Sequence, residues 1–157
     1  MMANFLSYLK EYPLIAILRG ITPAEVIEIS EVLVNKNFKI IEIPLNSPDP
    51  IKSIEMLVSH FKDEVIIGAG TVMDLGSIKM IAEAGARLSV MPNGNVRIVK
   101  AAKARGLITI PGVYTPTEAF AMIESGADAL KLFPAEGAPP MVLKAMKAVL
   151  PTAVPIL

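Results

Sequence analysis

Short apolar, β-branched runs recur along the chain and alternate with stretches that have the periodicity of amphipathic helices. The runs begin 20 to 26 residues apart, and each interval has room for one helix and two short loops. This alternation is typical of a parallel sheet covered by helices. The predicted strands are 14–19, 40–44, 66–72, 87–91, 107–111, 129–133 and the fragment 154–157.

Sequence signals also mark the predicted helix ends. Thr22-Pro23-Ala24-Glu25 and Thr115-Pro116-Thr117-Glu118 are capping-box sequences with proline at the first helical position. Gly85, Gly106 and Gly126 follow helical patterns and predict C-terminal ends. A regular repeat of near-equal units favours a (β/α)8 barrel over a doubly wound sheet, because the chain has no Gly-x-Gly-x-x-Gly or Walker loop.

The length of 157 residues holds about six βα units plus the start of strand seven. Eight such units would need roughly 200 residues. We therefore expect residues 1–157 to form a single, incomplete barrel domain, truncated at its C-terminal end. Open apolar sheet edges would put the independent stability and activity of such a fragment in question.

Composition narrows the possible partners and cofactors. Fifteen basic and fifteen acidic residues cancel, so no basic field favours nucleic acid or an anionic membrane. The absence of cysteine excludes thiolate catalysis and cysteine-ligated zinc, and the single histidine, His60, argues against a histidine zinc site. The N-terminal sequence lacks signal-peptide features, and no apolar stretch approaches the roughly 20 residues of a membrane span. We expect a cytoplasmic protein that needs no metal or other cofactor.

Two charged residues stand inside apolar strands. Lys131 lies in Ala129-Leu130-Lys131-Leu132-Phe133-Pro134, and Glu42 lies in Ile40-Ile41-Glu42-Ile43-Pro44. Burial of an amine is costly and favours its neutral form, which can attack a carbonyl carbon. Because side chains alternate along a strand, Lys131 and Glu42 both point into the barrel if the flanking aliphatic residues face the helices. The pair indicates Schiff-base chemistry with a proton shuttle; the alternative is an internal ion pair without a catalytic role.

Other candidate site residues lie at the predicted C-terminal strand ends, the face where barrel enzymes place their active sites. Arg19 ends the first strand and could hold a carboxylate with two hydrogen bonds, or it could be an ordinary surface arginine. Gly70 and Thr71 end the third strand, where glycine allows close approach of a substrate and Thr71 offers a hydroxyl. Pro92 and Phe133, at the ends of the fourth and sixth strands, are predicted to line the pocket.

These segments together resemble the family of 2-keto-3-deoxy-6-phosphogluconate (KDPG) and -galactonate aldolases. The resemblance runs from about residue 13 to the end of the chain. The matching segments are Ile15-Ala16-Ile17-Leu18-Arg19-Gly20, Ile41-Glu42-Ile43-Pro44-Leu45-Asn46-Ser47, Ile67-Gly68-Ala69-Gly70-Thr71-Val72 and Ala129-Leu130-Lys131-Leu132-Phe133-Pro134.

The resemblance implies a class I aldolase on a (β/α)8 barrel, usually a homotrimer, that requires no metal. It implies reversible cleavage of a phosphorylated 2-keto-3-deoxy sugar acid to pyruvate and glyceraldehyde 3-phosphate. Lys131 would form the Schiff base with the C2 ketone and Glu42 would move protons. Arg19 and Thr71 would bind the carboxylate end of the pyruvyl group, whereas the loops that commonly hold phosphate, after strands seven and eight, are absent from this chain.

The residues after Glu42 indicate which branch of the family the chain resembles. Pro44-Leu45-Asn46-Ser47 resembles the galactonate branch, since the gluconate branch typically has a Thr-Leu-Arg type of sequence there. We expect 2-dehydro-3-deoxy-6-phosphogalactonate as substrate, with its gluconate epimer as the alternative. Two further alternatives are another phosphate-binding barrel, such as an epimerase or synthase, and an inactive truncated fragment.

Overall fold

The computed structural model describes residues 2–157 of the chain, with side chains from Phe5 onward. The predicted domain and the N-terminal sequence discussed above both begin at Met1. This residue lies outside the described residues. The strands are β1 (Ala16–Ile17), β2 (Ile40–Pro44), β3 (Ile66–Gly70), β4 (Leu88–Val90), β5 (Ile108–Ile110), β6 (Gly112–Val113) and β7 (Lys131–Leu132).

Helices alternate with these strands, as the sequence predicts. They are α1 (Met2–Glu11), α2 (Val26–Val34), α3 (Pro50–Phe61), α4 (Leu75–Glu83), α5 (Val96–Lys103), α6 (Pro116–Glu124) and α7 (Pro140–Lys147), with a 3-10 turn at Ala135–Gly137. Among the described residues, no helix has both the length and the apolar run that a membrane crossing needs.

The strands form one parallel series in chain order. The first sheet runs β1-β2-β3-β4-β5, and β6 pairs in parallel with β7. Leu130 forms a parallel bridge to Ile156, so the segment 154–157 continues the series beyond β7. The predicted parallel α/β architecture is confirmed for these units.

Most strands are shorter than predicted, among them β3, β4 and β7, and two of the differences have a clear physical cause. β1 is shorter than 14–19, because it lies at an edge of the sheet, where Leu14 and Ile17 are exposed. The predicted strand 107–111 is instead divided into β5 and β6 at Pro111. Proline has no N–H to donate to a ladder, although the Pro111 carbonyl still accepts from the Lys131 N–H at 2.9 Å.

The helix-end predictions are confirmed except at α2. Thr115 and Glu118 form the predicted capping box at α6. The Thr22 N–H donates to the Glu25 carboxylate at 3.2 Å, yet residues 22–25 close as a turn and α2 begins only at Val26. Three glycines adopt positive φ directly after helices, as expected: Gly85, Gly106 and Gly126.

Two apolar layers lie on opposite faces of the sheet. The helices pack on the outer face, over residues such as Ile41, Ile43 and Leu130. The inner face forms a second cluster with α1, whose Phe5 and Leu9 pack against the first residues of β2 to β5: Ile40, Ile66, Leu88 and Ile108. Helix α1 therefore closes the N-terminal end of the strands and leaves the C-terminal end accessible. Sequence reasoning did not predict α1, although the spacing of Phe5, Leu6 and Leu9 is helical.

Candidate active site

Glu42 lies in the middle of β2 and is only 2% exposed. Its neighbours Ile41 and Ile43 belong to the outer apolar cluster, so alternation directs Glu42 to the inner face of the sheet. The predicted burial and direction of this carboxyl group are confirmed. Its Oε2 atom has no hydrogen-bond partner among the described residues. A buried carboxyl oxygen without a partner is costly, and a catalytic role is one of the explanations for keeping it.

Two glycines of β3 make space on the sheet, Gly70 for the Glu42 carboxyl and Gly68 for Leu88. Gly68 is the register partner of Glu42, and Gly70 is the partner of Pro44. A Cβ atom added at Gly70 would lie 2.6 Å from Glu42 Oε2, and one at Gly68 would lie 2.4 Å from Leu88 Cβ. Because Gly70 lacks a side chain, the Glu42 carboxyl group fits inside the curved sheet. Gly70 therefore supports the Glu42 carboxyl and is absent from the cavity lining, where the sequence had placed it.

Burial determines the protonation of Glu42. Loss of hydration raises the pKa of its carboxyl from 4.5 to about 7. The positive charges of Lys131 and then Arg19 act in the opposite direction and lower this pKa. A carboxyl group with a pKa near neutrality can both give and take a proton at physiological pH.

Lys131 projects from β7 toward the same interior. The prediction of a fully buried amine was wrong: Lys131 is half-buried because it faces a cavity. Its Nζ atom lies 4.8 Å from the centroid of the Phe133 ring, a cation–π geometry. Among the described residues, neither Lys131 nor Glu42 forms an ion pair within 4.0 Å. The two groups therefore sense each other's charge without forming the internal ion pair that was the alternative interpretation.

A cavity of about 560 Å³ brings Glu42, Lys131 and Phe133 together. Its other lining residues are mostly apolar and come from the start of the chain's first strand, the inner faces of β4 and β5, and α7. Glu136, in the 3-10 turn after β7, adds a second carboxylate to the wall. Apolar walls around a few convergent polar groups are the usual composition of a small-molecule site.

Arg19 and Thr71 lie at the C-terminal ends of β1 and β3, outside the lining of this cavity. The Arg19 side chain is exposed and donates from Nη1 to Asn46 Oδ1 at 2.8 Å. Thr71 is half-buried and has φ of +58°, a rare conformation for a β-branched residue. Strain of this kind costs about 1–3 kcal/mol and clusters at functional sites, because there it directs a side chain.

Comparison with known proteins gives the arrangement a context. The sequence profile of the family described as "Aldolase: KDPG and KHG aldolase" matches residues 6–154. The chain belongs to the KDPG and KHG aldolase family. The predicted family resemblance is therefore confirmed, and with it the class of enzyme: the family's members are aldolases, which are lyases of carbohydrate metabolism.

Three of the similar proteins bear on the branch and the chemistry. A "Probable 2-dehydro-3-deoxy-6-phosphogalactonate aldolase" of Rhizobium meliloti (strain 1021) is 46% identical over 141 residues, which are 90% of this chain and 66% of that protein. A solved structure described as "Native KDPGal structure" has a TM-score of 0.90 at 42% identity, over 92% of this chain and 70% of the other. A KDPG aldolase of Legionella pneumophila, solved with pyruvate as a covalent carbinolamine, has a TM-score of 0.81 at 30% identity, over 90% and 68% of the two chains.

These comparisons agree with the predicted (β/α) barrel class. The chain spans slightly less than two thirds of the length of the Rhizobium relative. The family profile covers residues 6–154, which include every strand from β1 to β7.

Two features of this aldolase-family site were not predicted in their observed form. Pro92 is half-buried outside the cavity lining, and its carbonyl oxygen would lie 2.3 Å from a Cβ added at Gly112, so its backbone supports the turn into β6. Tyr114 was not singled out, yet its hydroxyl donates to the Gly137 carbonyl at 2.5 Å. This bond ties the end of β6 to the turn that follows Phe133. No sequence signal links residues 114 and 137.

The raised pKa of Glu42 predicts how stability depends on pH. A carboxyl whose pKa is higher in the folded than in the unfolded chain lowers the free energy of unfolding as pH rises, here between about 4.5 and about 7. At about 1.4 kcal/mol per pH unit, wild type should lose about 2–3 kcal/mol relative to Glu42→Gln between pH 5 and pH 8. Urea unfolding of both proteins at the two pH values measures this. Parallel changes in the two proteins would contradict the assignment.

Proposed function

We propose that this chain carries the reacting groups of a Schiff-base aldolase that reversibly cleaves 2-dehydro-3-deoxy-6-phosphogalactonate to pyruvate and glyceraldehyde 3-phosphate. The observation that carries the proposal is the Lys131 amine and the Glu42 carboxyl in one apolar cavity without an ion pair between them. An amine that is not tied to a carboxylate is free to attack a carbonyl. A carboxyl group with a pKa of about 7 is suited to transfer the protons that this attack requires.

The proposed reaction begins at Lys131. The unprotonated form of its Nζ attacks the C2 carbonyl carbon, and loss of water from the carbinolamine, with a proton donated by Glu42, leaves a protonated imine. Removal of a proton from the C4 hydroxyl then breaks the C3–C4 bond. The electron pair passes to the imine as an enamine, and the aldehyde leaves. Protonation at C3 and addition of water release pyruvate and restore the amine. Glu42 is the group in the cavity that we assign to these proton transfers.

Arg19 and Thr71 complete the proposed site as carboxylate-binding residues. Arg19 is a cation at the C-terminal end of β1, close enough for its charge to lower the pKa of Glu42. Thr71 directs its short side chain from a strained backbone at the end of β3. Phe133 contributes an aromatic wall beside Nζ.

The choice of the galactonate epimer rests on relatives. A relative at 46% identity and a solved structure at 42% bear galactonate names, whereas the KDPG aldolase of Legionella pneumophila is 30% identical. The alternative, the gluconate epimer, is distinguished by measuring turnover of both compounds with the whole protein.

The role of Lys131 is tested by trapping. Incubation with pyruvate and borohydride should leave a reduced, covalent three-carbon adduct on the peptide containing Lys131, since borohydride reduces the imine irreversibly. Lys131→Met should give no adduct, and Lys103→Met, which removes a half-buried lysine bound to Asp128, provides the matched control. An adduct on other lysines with Lys131 unmodified would exclude it as the nucleophile.

The role of Glu42 is tested by measuring the turnover of the Glu42→Gln variant. Glu42→Gln keeps the shape of the side chain but removes its titration, so kcat for cleavage should fall by about 10²–10⁴, the scale of one acid–base group. Glu136→Gln, at the other carboxylate of the cavity wall, is the comparison and should retain most of the activity. Equal rates for wild type and Glu42→Gln would remove Glu42 from the mechanism.

The whole protein is further proposed to be a cytoplasmic homotrimer, as the family resemblance implies. Sedimentation of the whole protein purified from the soluble fraction of its cells should give three times the chain mass. A monomeric mass at working concentration would overturn the trimer.

A further inference from the structure

The turns that follow β1 and β2 lie side by side at the C-terminal edge of the sheet. The Leu18 N–H donates to the Glu42 carbonyl at 3.1 Å, which extends strand pairing up to the first turn. The Ile21 N–H then closes that turn onto the Leu18 carbonyl at 3.4 Å. Arg19 and Gly20 form the tip, and Gly20 has φ of +82° with open space around it. The tip makes few packing contacts of its own, so its position depends on neighbouring polar groups.

Two consecutive residues of the second turn supply those groups. Asn46 Oδ1 accepts from Arg19 Nη1 at 2.8 Å, and Ser47 Oγ accepts from the Gly20 N–H at 3.0 Å. Ser47 is buried, and its own N–H donates to the Pro44 carbonyl at 2.9 Å. The dipeptide therefore fixes both the backbone and the side chain of the tip, and Ser47 connects them to the end of β2.

The chemistry of position 46 matters as much as its location. Arg19 has no carboxylate within 4.0 Å among the described residues, so its positive charge is not neutralised. An amide oxygen restricts the guanidinium without cancelling that charge, whereas aspartate at the same position would pair with it. Arginine loses side-chain entropy when it is fixed, and holding it before the ligand arrives reduces that cost on binding.

We infer that Asn46 and Ser47 are positioning residues that hold the Arg19 guanidinium, with its charge uncancelled, for the carboxylate of the bound keto acid. The inference rests on the proposed function and extends it to two residues that do not line the cavity. It assigns to the Asn-Ser pair after β2 a role in affinity for the carboxylate and none in proton transfer.

The experiment measures how trapping by borohydride depends on pyruvate concentration in wild type, Arg19→Ala, Asn46→Ala, Asn46→Asp and the double variant. Arg19→Ala should raise half-saturating pyruvate about 10–100-fold, the effect of losing a charge-assisted pair. Asn46→Ala should raise it about 3–10-fold, since the charge stays but its orientation is lost. Asn46→Asp should raise it more than Asn46→Ala, because the new carboxylate competes for the guanidinium. Asn35→Asp, the same substitution at an exposed asparagine directly after α2, is the charge-matched control and should change little.

Two comparisons separate positioning from general damage to the fold. Trapping of acetone, a ketone without a carboxylate, should fall less than trapping of pyruvate in both Arg19→Ala and Asn46→Ala, because acetone has no group for Arg19 to bind. Asn46→Ala should add nothing in the Arg19→Ala background, because the residue acts through Arg19. An equal loss with acetone, additive effects in the double variant, or Asn46→Asp no worse than Asn46→Ala would each overturn the inference. Wild type that forms no adduct on Lys131 would instead overturn the proposed function, and the inference with it.

Discussion

The rest of the site depends on the desolvation of one carboxyl group. Glu42 is held inside the sheet with one oxygen unpartnered, where its ionised form is unfavourable. A closer cation would form a tight pair and make the carboxylate a permanent anion, whereas complete isolation would keep the acid protonated. Lys131 is near enough to influence the titration and too far away to form an ion pair. This intermediate separation between Glu42 and Lys131 gives the Glu42 carboxyl a pKa of about 7 and leaves both groups available to a ligand.

Local features of the strands and of α1 keep the Glu42 carboxyl buried and direct it, with Lys131, to the inner face of the sheet. Gly70 has no side chain on the inner face of β3 and so makes room for the Glu42 carboxyl, while Gly68 makes room for Leu88 of β4. The outer faces of β2 and β7 carry the aliphatic residues that bind the helices, so alternation alone directs Glu42 and Lys131 inward. Helix α1 fills the opposite end with Phe5 and Leu9. The polar groups are therefore confined to the C-terminal end, where the strand-end loops can reach them.

Much of this arrangement could be predicted from the sequence. The period of the strands, the charges within apolar runs and the capping box at Thr115 are local patterns, and the structure confirms them. The half-burial of Lys131 was missed because it depends on the cavity between the first and last strands, which local patterns do not contain. The bond from Tyr114 to Gly137 and the contact from Arg19 to Asn46 were missed for a related reason. Each joins residues more than 20 positions apart whose identities carry no mutual signal.

The contact between Arg19 and Asn46 follows the same physical principle as the separation of Glu42 from Lys131. In both cases a charge is restrained without being neutralised: Glu42 by distance from Lys131, and Arg19 by an acceptor that is an amide. A countercharge would add Coulomb attraction at the cost of desolvation, and it would occupy the group that a ligand needs. A site that binds an anionic keto acid needs the opposite arrangement, with its cation unpaired and its proton carrier near neutrality. The structure accordingly holds Arg19 and Gly20 with an amide and a hydroxyl group, and it places a glycine, Gly70, beside the Glu42 carboxyl.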